Sequence, residues 1–409
     1  MASIGSELAP HVALERTVSA IASARRALLA DRYAINSFTV EWRELGELGS
    51  IAHEWRNLAA RALEPNVFYE PAFALAAASA FGRGVGAVLI WSGTQPRKLL
   101  GFFPARVEAR RYGVRLPVLI GWTHPYAPLG TPLVERDAAE PVVAAWLAHL
   151  AENSSLPGLW LLPLIAEDGP FASALGAVLR RAQMPCADFG RHRRALLAPR
   201  GEPAHYVEHT LTAHRQRELR RTIRRLGDTG ALLFTTTTQA AAVAAALEDF
   251  FALEASGWKG EAGTAAVYRD DTRSFMRTAL YDLALEGKVA IDRIMLDGRT
   301  IAATITLRSG DTAWYWKTAY EEKLARHAPG VLITVALTER LAEDAAIART
   351  DSCAAPDNPM MDQLWRERLA LCDRLIATRP RAPIGLAARL ERLRRAMIVA
   401  VKTVRRLRR

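Results

Sequence analysis

The sequence is short of cysteine. Cys186, Cys353 and Cys372 are the only three in 409 residues, and they lie far apart. Their number is odd and their spacing fits neither a zinc site nor a disulfide framework. This excludes a disulfide-stapled scaffold and agrees with a reducing cytoplasm. No group of His, Cys and acidic residues elsewhere has ligand spacing, so no metal is implied. No run of 18 residues is free of charge, which excludes a spanning helix. The opening stretch MASIGSELAPHVALERTVSA has no cationic segment followed by an apolar one, so no secretory leader is read there.

What the chain has in excess is positive charge, +11 overall. Its location matters more than its size. Residues 381–409 hold ten Arg and Lys against the single acid Glu391, a net of +9, which leaves +2 for residues 1–380. The body is therefore almost neutral, which argues against a fold that tracks phosphate backbones. At this length two domains are expected.

Hydrophobic periodicity and turn residues give an element order. Residues 1–35 read as a helical or loosely held lead-in. Residues 38–49 are a strand and turn, 50–63 a helix capped by Ser50, and 66–82 a loop running into a helix. A hairpin (85–110), a strand with a Pro/Gly-rich turn (116–134), a helix (138–152), a strand (159–165) and a helix (170–183) follow. The second half begins with a basic helix, HRQRELRRTIRRLGD (214–228), its six arginines spread around a stripe of Leu219, Ile223 and Leu226. Then come a strand (231–238), two helices (239–258, 270–287) and three strands (288–320) joined at Asp297-Gly298 and at Ser309-Gly310-Asp311. A polar turn leads through Pro329-Gly330 into a helix (331–346), a short strand (347–353) and a helix (360–377). Each half thus repeats strand, helix, helix, hairpin, strand, turn, helix, strand, helix. Trp122 and Tyr126 are spaced like Trp316 and Tyr320, which supports a duplication.

The stretches LRRTIRRLGDTG, ALEASGWKGEAGTA, DGRTIAATITL, WKTAYEEKLARHAPGVLI and DSCAAPDNPMMDQLW occur in that order. Together with the element order they resemble the GNAT acetyltransferases of the CelD-like, or BioF2-like, branch, which is related to the tandem-GNAT FemAB group. The resemblance covers about residues 210–380 in detail and 38–185 only in layout. It implies an α/β (α+β) fold of two tandem GNAT-like domains, each a mixed, mostly antiparallel sheet flanked by helices. The expected boundaries are a lead-in (1–35), a degenerate N-terminal domain (36–200), a C-terminal acetyltransferase domain (201–380) and a basic amphipathic tail (381–409).

The resemblance also implies acetyl-CoA, or another acyl-CoA, as co-substrate. Its pyrophosphate would lie where strand 312–320 turns into a helix. Unpaired N–H groups and the positive end of the helix dipole make such a turn an anion site. Gly330, Val331 and Leu332 stand where those N–H groups are needed, with Arg326 and His327 beside them and Lys317 as a further cofactor contact. Arg326-His-Ala-Pro-Gly330 is one residue longer than the usual signature and lacks its second Gly. For proton transfer the candidates are Asp351, Glu254 and Tyr320, the last as acid toward the leaving thiolate. Backbone around Trp316–Thr318 is the expected oxyanion donor. Trp258 and Lys259 are candidates for the acceptor site. The N-terminal turn HPYAPLGTP has proline where donors are needed, so that domain is expected to shape the acceptor cleft and not to bind cofactor.

The expected activity is acyl transfer to a small-molecule or glycan amine, with an exopolysaccharide setting. The rivals are FemAB-like aminoacyl transfer, in which tRNA is the partner, and an inactive interaction module. Nucleic acid is otherwise not expected. In the tail, Leu386, Leu390, Leu393, Met397, Ala400, Val404 and Leu407 form one helical stripe with arginine elsewhere. Such a helix suits an anionic membrane surface or a partner helix, and the location expected is cytoplasmic, with the inner-membrane face as an option.

Overall fold

The computed structural model describes residues 8–199 and 205–407. In chain order its helices and strands are α1 (Leu8–Tyr33), β1 (Phe38–Glu44), α2 (Ala52–Ala60), α3 (Pro71–Phe81), β2 (Val85–Ser92), β3 (Leu99–Glu108), β4 (Val118–Gly121), β5 (Leu133–Val134), α4 (Ala139–Glu152), β6 (Leu159–Ala166), α5 (Pro170–Arg181) and β7 (Cys186–Leu197). They continue with α6 (Tyr206–Thr210), α7 (Ala213–Gly227), β8 (Leu232–Thr237), α8 (Ala240–Ser256), α9 (Trp258–Glu261), α10 (Asp270–Leu285), β9 (Val289–Leu296), β10 (Arg299–Ser309), β11 (Thr312–Tyr320), α11 (Pro329–Glu343), β12 (Arg349–Asp351), α12 (Pro359–Leu364), β13 (Glu367–Ala377) and α13 (Ile384–Leu407). This is the expected mixed α/β architecture, with sheets flanked by helices.

The chain forms two compact units. Unit 1 holds residues 1–64, 84–191 and 371–409, and unit 2 holds residues 65–83 and 192–370. The unit limits therefore differ from a division at residue 200. Segment 65–83 belongs with the C-terminal unit, and segment 371–409 with the N-terminal one.

In unit 1 the strand order is β1-β2-β3-β4-β6-β13, with β5 on β3. The pairs are antiparallel except β4 with β6. One face packs on α1, α4 and α5 through Leu29, Trp146, Val178 and Trp160. The other packs Val118, Leu159 and Leu375 against Ala387 and Ala388 of α13. Residues 8–33 are thus one helix, docked by the buried Leu29 and by Tyr33, whose hydroxyl donates to Glu140 Oε2 (2.8 Å).

Two local expectations fail here. Helix α2 begins at Ala52 with Ile51 at its cap, because residues 45–51 form a 3-10 turn first. Ser50 does not cap it; its hydroxyl donates to the Glu47 carbonyl. The stretch 360–377, expected as one helix, is a short helix and then strand β13. Its apolar residues at 371, 372, 375 and 376 satisfy either period. Pairing with β6 buries all four, and that tertiary gain decides. Strand β7 was not foreseen at all.

In unit 2 the order is β7-β12-β11-β10-β9-β8. β8 to β11 are antiparallel neighbours, while β11 and β12 run parallel. Helices α8 and α10 cover one face. Helix α3 joins them through Phe73, which meets Phe275 edge-on at 5.2 Å between ring centroids. On the other face α7 and α11 pack Leu219, Leu226, Leu332 and Ile333 over Ile294 and Ile301. The α7 stripe is narrower than expected, since Ile223 is exposed. Five of its six arginines, Arg217, Arg220, Arg221, Arg224 and Arg225, point outward on the opposite side.

Candidate active site

The site is built where β11 loses a neighbour. β11 pairs with β12 only over Thr312–Trp314. From Tyr315 onward, among the described residues, no strand pairs with that edge of β11. The opposite edge stays paired with β10, but irregularly. Partners step from Lys317–Ile305 to Tyr315–Thr306, so Trp316 is an extra residue, a β-bulge. The bulge is held by its own side chain. Trp316 is buried and lies edge-on to Phe73 (5.7 Å) and Phe275 (6.4 Å). A bulge re-aims the residues that follow it, here Lys317 to Tyr320.

Beyond β11 a 3-10 turn (Glu322–His327) leads to Ala328, at φ 45° and ψ 48°. A non-glycine residue in this left-handed region stores about 1 kcal/mol or more. It turns the chain directly into α11, with Pro329 at the first helical position. A Cβ on Gly330 would sit 2.9 Å from the Tyr320 ring, so the missing side chain lets that ring close over the helix start. The donors are fewer than expected. The N–H groups of both Val331 (2.9 Å) and Leu332 (3.1 Å) donate to the Ala328 carbonyl. Pro329 has none, which leaves Gly330 as the backbone donor of this turn. Arg326 is exposed beside it, and its Nε donates to His327 Nε2 (3.0 Å).

Opposite the turn, the end of α8 and the start of α9 complete a small cleft. Its walls include Glu254, Trp258 and Lys259 from the helices and Thr318 and Tyr320 from the strand. Four residues singled out in the sequence therefore converge. Glu254, a candidate for proton transfer, is buried. Its two oxygens accept from Lys259 Nζ (2.6 Å) and from the Ala266 N–H (2.8 Å), so it orders the loop and holds a lysine. Trp258 is 61% exposed at the rim, its backbone N–H fixed by Glu322 Oε1 at 2.7 Å. An indole left in water beside a cleft is available to a ligand.

Asp351, a candidate for proton transfer, is engaged by other protein groups. It is buried in an ion pair with Arg194 of β7, and its Oδ1 also accepts the Cys353 N–H (3.0 Å). A carboxylate so engaged fixes the end of β12. Burial, and after it the nearby Lys259 ammonium, push the Lys317 ammonium down to about 8. Burial and the Asp351 carboxylate hold the Cys353 thiol well above its usual range.

Among its described residues unit 1 has no such turn. After β4 the chain enters a loop and β5, and no helix begins there. The Gly130 N–H is spent on the Leu164 carbonyl (3.0 Å), and a Cβ on Gly130 would meet the Pro163 carbonyl oxygen at 2.0 Å. Protein fills the space. A cavity of about 660 Å³ along α5 in this unit collects Glu167, Asp168, Arg180 and Arg374 but none of the candidates above.

Residues 213–358 match the family model of the acetyltransferase (GNAT) domain, and that segment of the chain is a GNAT acetyltransferase domain. No curated protein matches the chain by sequence. Among solved structures it is similar to FemX, with TM-score 0.55 and 9% identity, over 80% of this chain and 95% of that one. It is also similar to the C-terminal domain of a putative lysylphosphatidylglycerol synthetase from Agrobacterium fabrum, with TM-score 0.51 and 11% identity, over 84% and 96% of the two chains. At such identity the likeness is one of fold. It extends beyond the matched domain into unit 1.

Proposed function

We propose that the cleft between β11, the α11 turn and the α8–α9 loop transfers an acyl group from acyl-CoA to an amine. The observation that carries this is the edge of β11 that, among the described residues, no strand joins after Trp314, bulged at Trp316 and ending at a strained helix start. An extended thioester arm fits against such an edge by strand-like hydrogen bonds, with its phosphates toward the Gly330 N–H, Arg326 and His327. Backbone N–H groups of the bulge are the donors for the developing oxyanion. The amine attacks the thioester carbonyl directly and the carbon–sulfur bond breaks. Neutral Lys317 takes the proton the amine loses, and the Tyr320 hydroxyl gives one to the departing sulfur. Lys317 thereby moves from the expected cofactor contact to the proton acceptor. Trp258 at the rim suits the apolar face of an amino sugar, which fits a glycan acceptor.

Calorimetry with acetyl-CoA, followed by turnover on glucosamine and simple alkylamines, tests this reading. Saturable binding and turnover that prefers the sugar are expected. No binding at millimolar acetyl-CoA refutes it.

A second reading has one observation in its favour. Among the described residues, none of the five outward arginines of α7 has an acidic partner, and α7 packs beside α11. Such a face suits a donor richer in phosphate than CoA, such as aminoacyl-tRNA. Gel-shift titration with tRNA at two salt concentrations separates the two: this reading requires tight, strongly salt-dependent binding that weakens when Arg220 and Arg224 become Gln.

A further inference from the structure

Helix α13 presents its apolar stripe to solvent. It docks on unit 1 by the opposite side: Ala387, Ala388 and Glu391 are buried there. Glu391 accepts from Arg111 (3.0 and 3.3 Å) and from Arg395 Nε (2.8 Å), and Arg395 also reaches Asp373. Leu386, Leu393, Met397, Val401 and Val404 recur at spacings of seven, four, four and three, so they line one side, and each is about half exposed. Leu390 of the expected stripe is partly buried against unit 1, while the five residues just named stay open to solvent. No helix among the described residues is long and apolar enough to cross a membrane.

We propose that α13 binds a membrane surface rich in anionic lipid, lying in the interface with this stripe turned toward the acyl chains. Charge selects this occupant. Segment 381–409 has ten basic residues, and its one acid, Glu391, is already neutralised within unit 1. Arg392 and Arg394 flank the stripe, and the sequence adds Lys402, Arg405, Arg406, Arg408 and Arg409. Pairing two copies along the stripe would bring about twenty positive charges together with no acid at the flanks, which repel at helical spacing. An anionic surface attracts all of them, and it also takes up the apolar side that a nucleic acid would leave in water.

The test is co-sedimentation of the full chain with phosphatidylcholine vesicles, with and without phosphatidylglycerol. Binding is expected only with the anionic lipid and is expected to weaken as salt rises. Met397→Glu with Val404→Glu should lower partitioning by about tenfold or more, with the thermal unfolding curve unchanged because both positions are exposed. Arg405→Gln with Arg406→Gln leaves the stripe intact and should lower binding to anionic vesicles by about tenfold. Equal partitioning on both lipids, or no loss in either variant, overturns the proposal. So does a concentration-dependent dimer that Met397→Glu abolishes while vesicle binding is absent, since that places a second copy on the stripe.

Discussion

At the scale of single residues, the site rests on a glycine, a lysine and a buried ion pair. Gly330→Ala puts a methyl group 2.9 Å from the Tyr320 ring. The ring must swing out, and acetyl-CoA affinity measured by calorimetry should fall by roughly tenfold, with helix content unchanged. Lys317 makes a pH prediction. With the folded ammonium lowered to about 8, kcat should rise with pH through about 8, and Lys317→Met should lower it by about a hundredfold or more. The stability sign follows from the same shift. Between about 8 and 10.5 the unfolded chain holds the proton and the folded one does not, so stability rises with pH there. Below pH 8 the burden of the charge is fully present, so Lys317→Met should gain up to about 3 kcal/mol at pH 7 in urea unfolding, a gain that fades toward pH 10.5. Arg194→Met leaves Asp351 buried without its partner and should cost about 3–5 kcal/mol. Sequence made Glu254, Trp258, Lys259 and Tyr320 readable because they flank two short loops rich in turn residues. It could not mark Asp351 as engaged, since its partner Arg194 lies 157 residues away on an unforeseen strand.

At the scale of elements, hairpins were the legible part. β9, β10 and β11 are punctuated by Asp297-Gly298 and Ser309-Gly310-Asp311, turn residues whose local chemistry needs no partner. β13 was misread because its identity as a strand depends on β6, about two hundred residues earlier. The apolar stripe of α13 was also legible, but not the side by which the helix docks, which Glu391 decides. Burial raises its pKa, yet Arg111, Arg395 and Arg394 outweigh that and leave it below the ordinary value. The stability it lends is present above the ordinary carboxylate range and is lost as pH falls through the lowered value. Glu391→Ala should therefore strip Arg111 and Arg395 of their partner, free α13 and expose residues 384–395 to rapid amide exchange at pH 7.

At the scale of the whole molecule, neither unit is a continuous stretch of chain. Residues 201–380 expressed alone would lack α3 and the turn before it, and with them Phe73 between Phe275 and Trp316 and Phe68 against Trp314. Losing those rings amounts to several large core truncations at about 3–5 kcal/mol each, more than a domain of this size can spare. Such a fragment should show broad, non-cooperative thermal unfolding and bind a hydrophobic dye, and the complete chain should not. Layout alone hid this exchange of segments, because each half of the sequence repeats the same element order.

That exchange also sets a timetable for synthesis. Helix α3 leaves the ribosome long before Phe275 and Trp316 exist to receive it, and β6 has a similar wait for β13. Neither core can close until nearly all of the chain has been made. In between, the rings of α3 and the free edge of β6 stand open to other molecules, the circumstance in which a nascent chain leans most on chaperones.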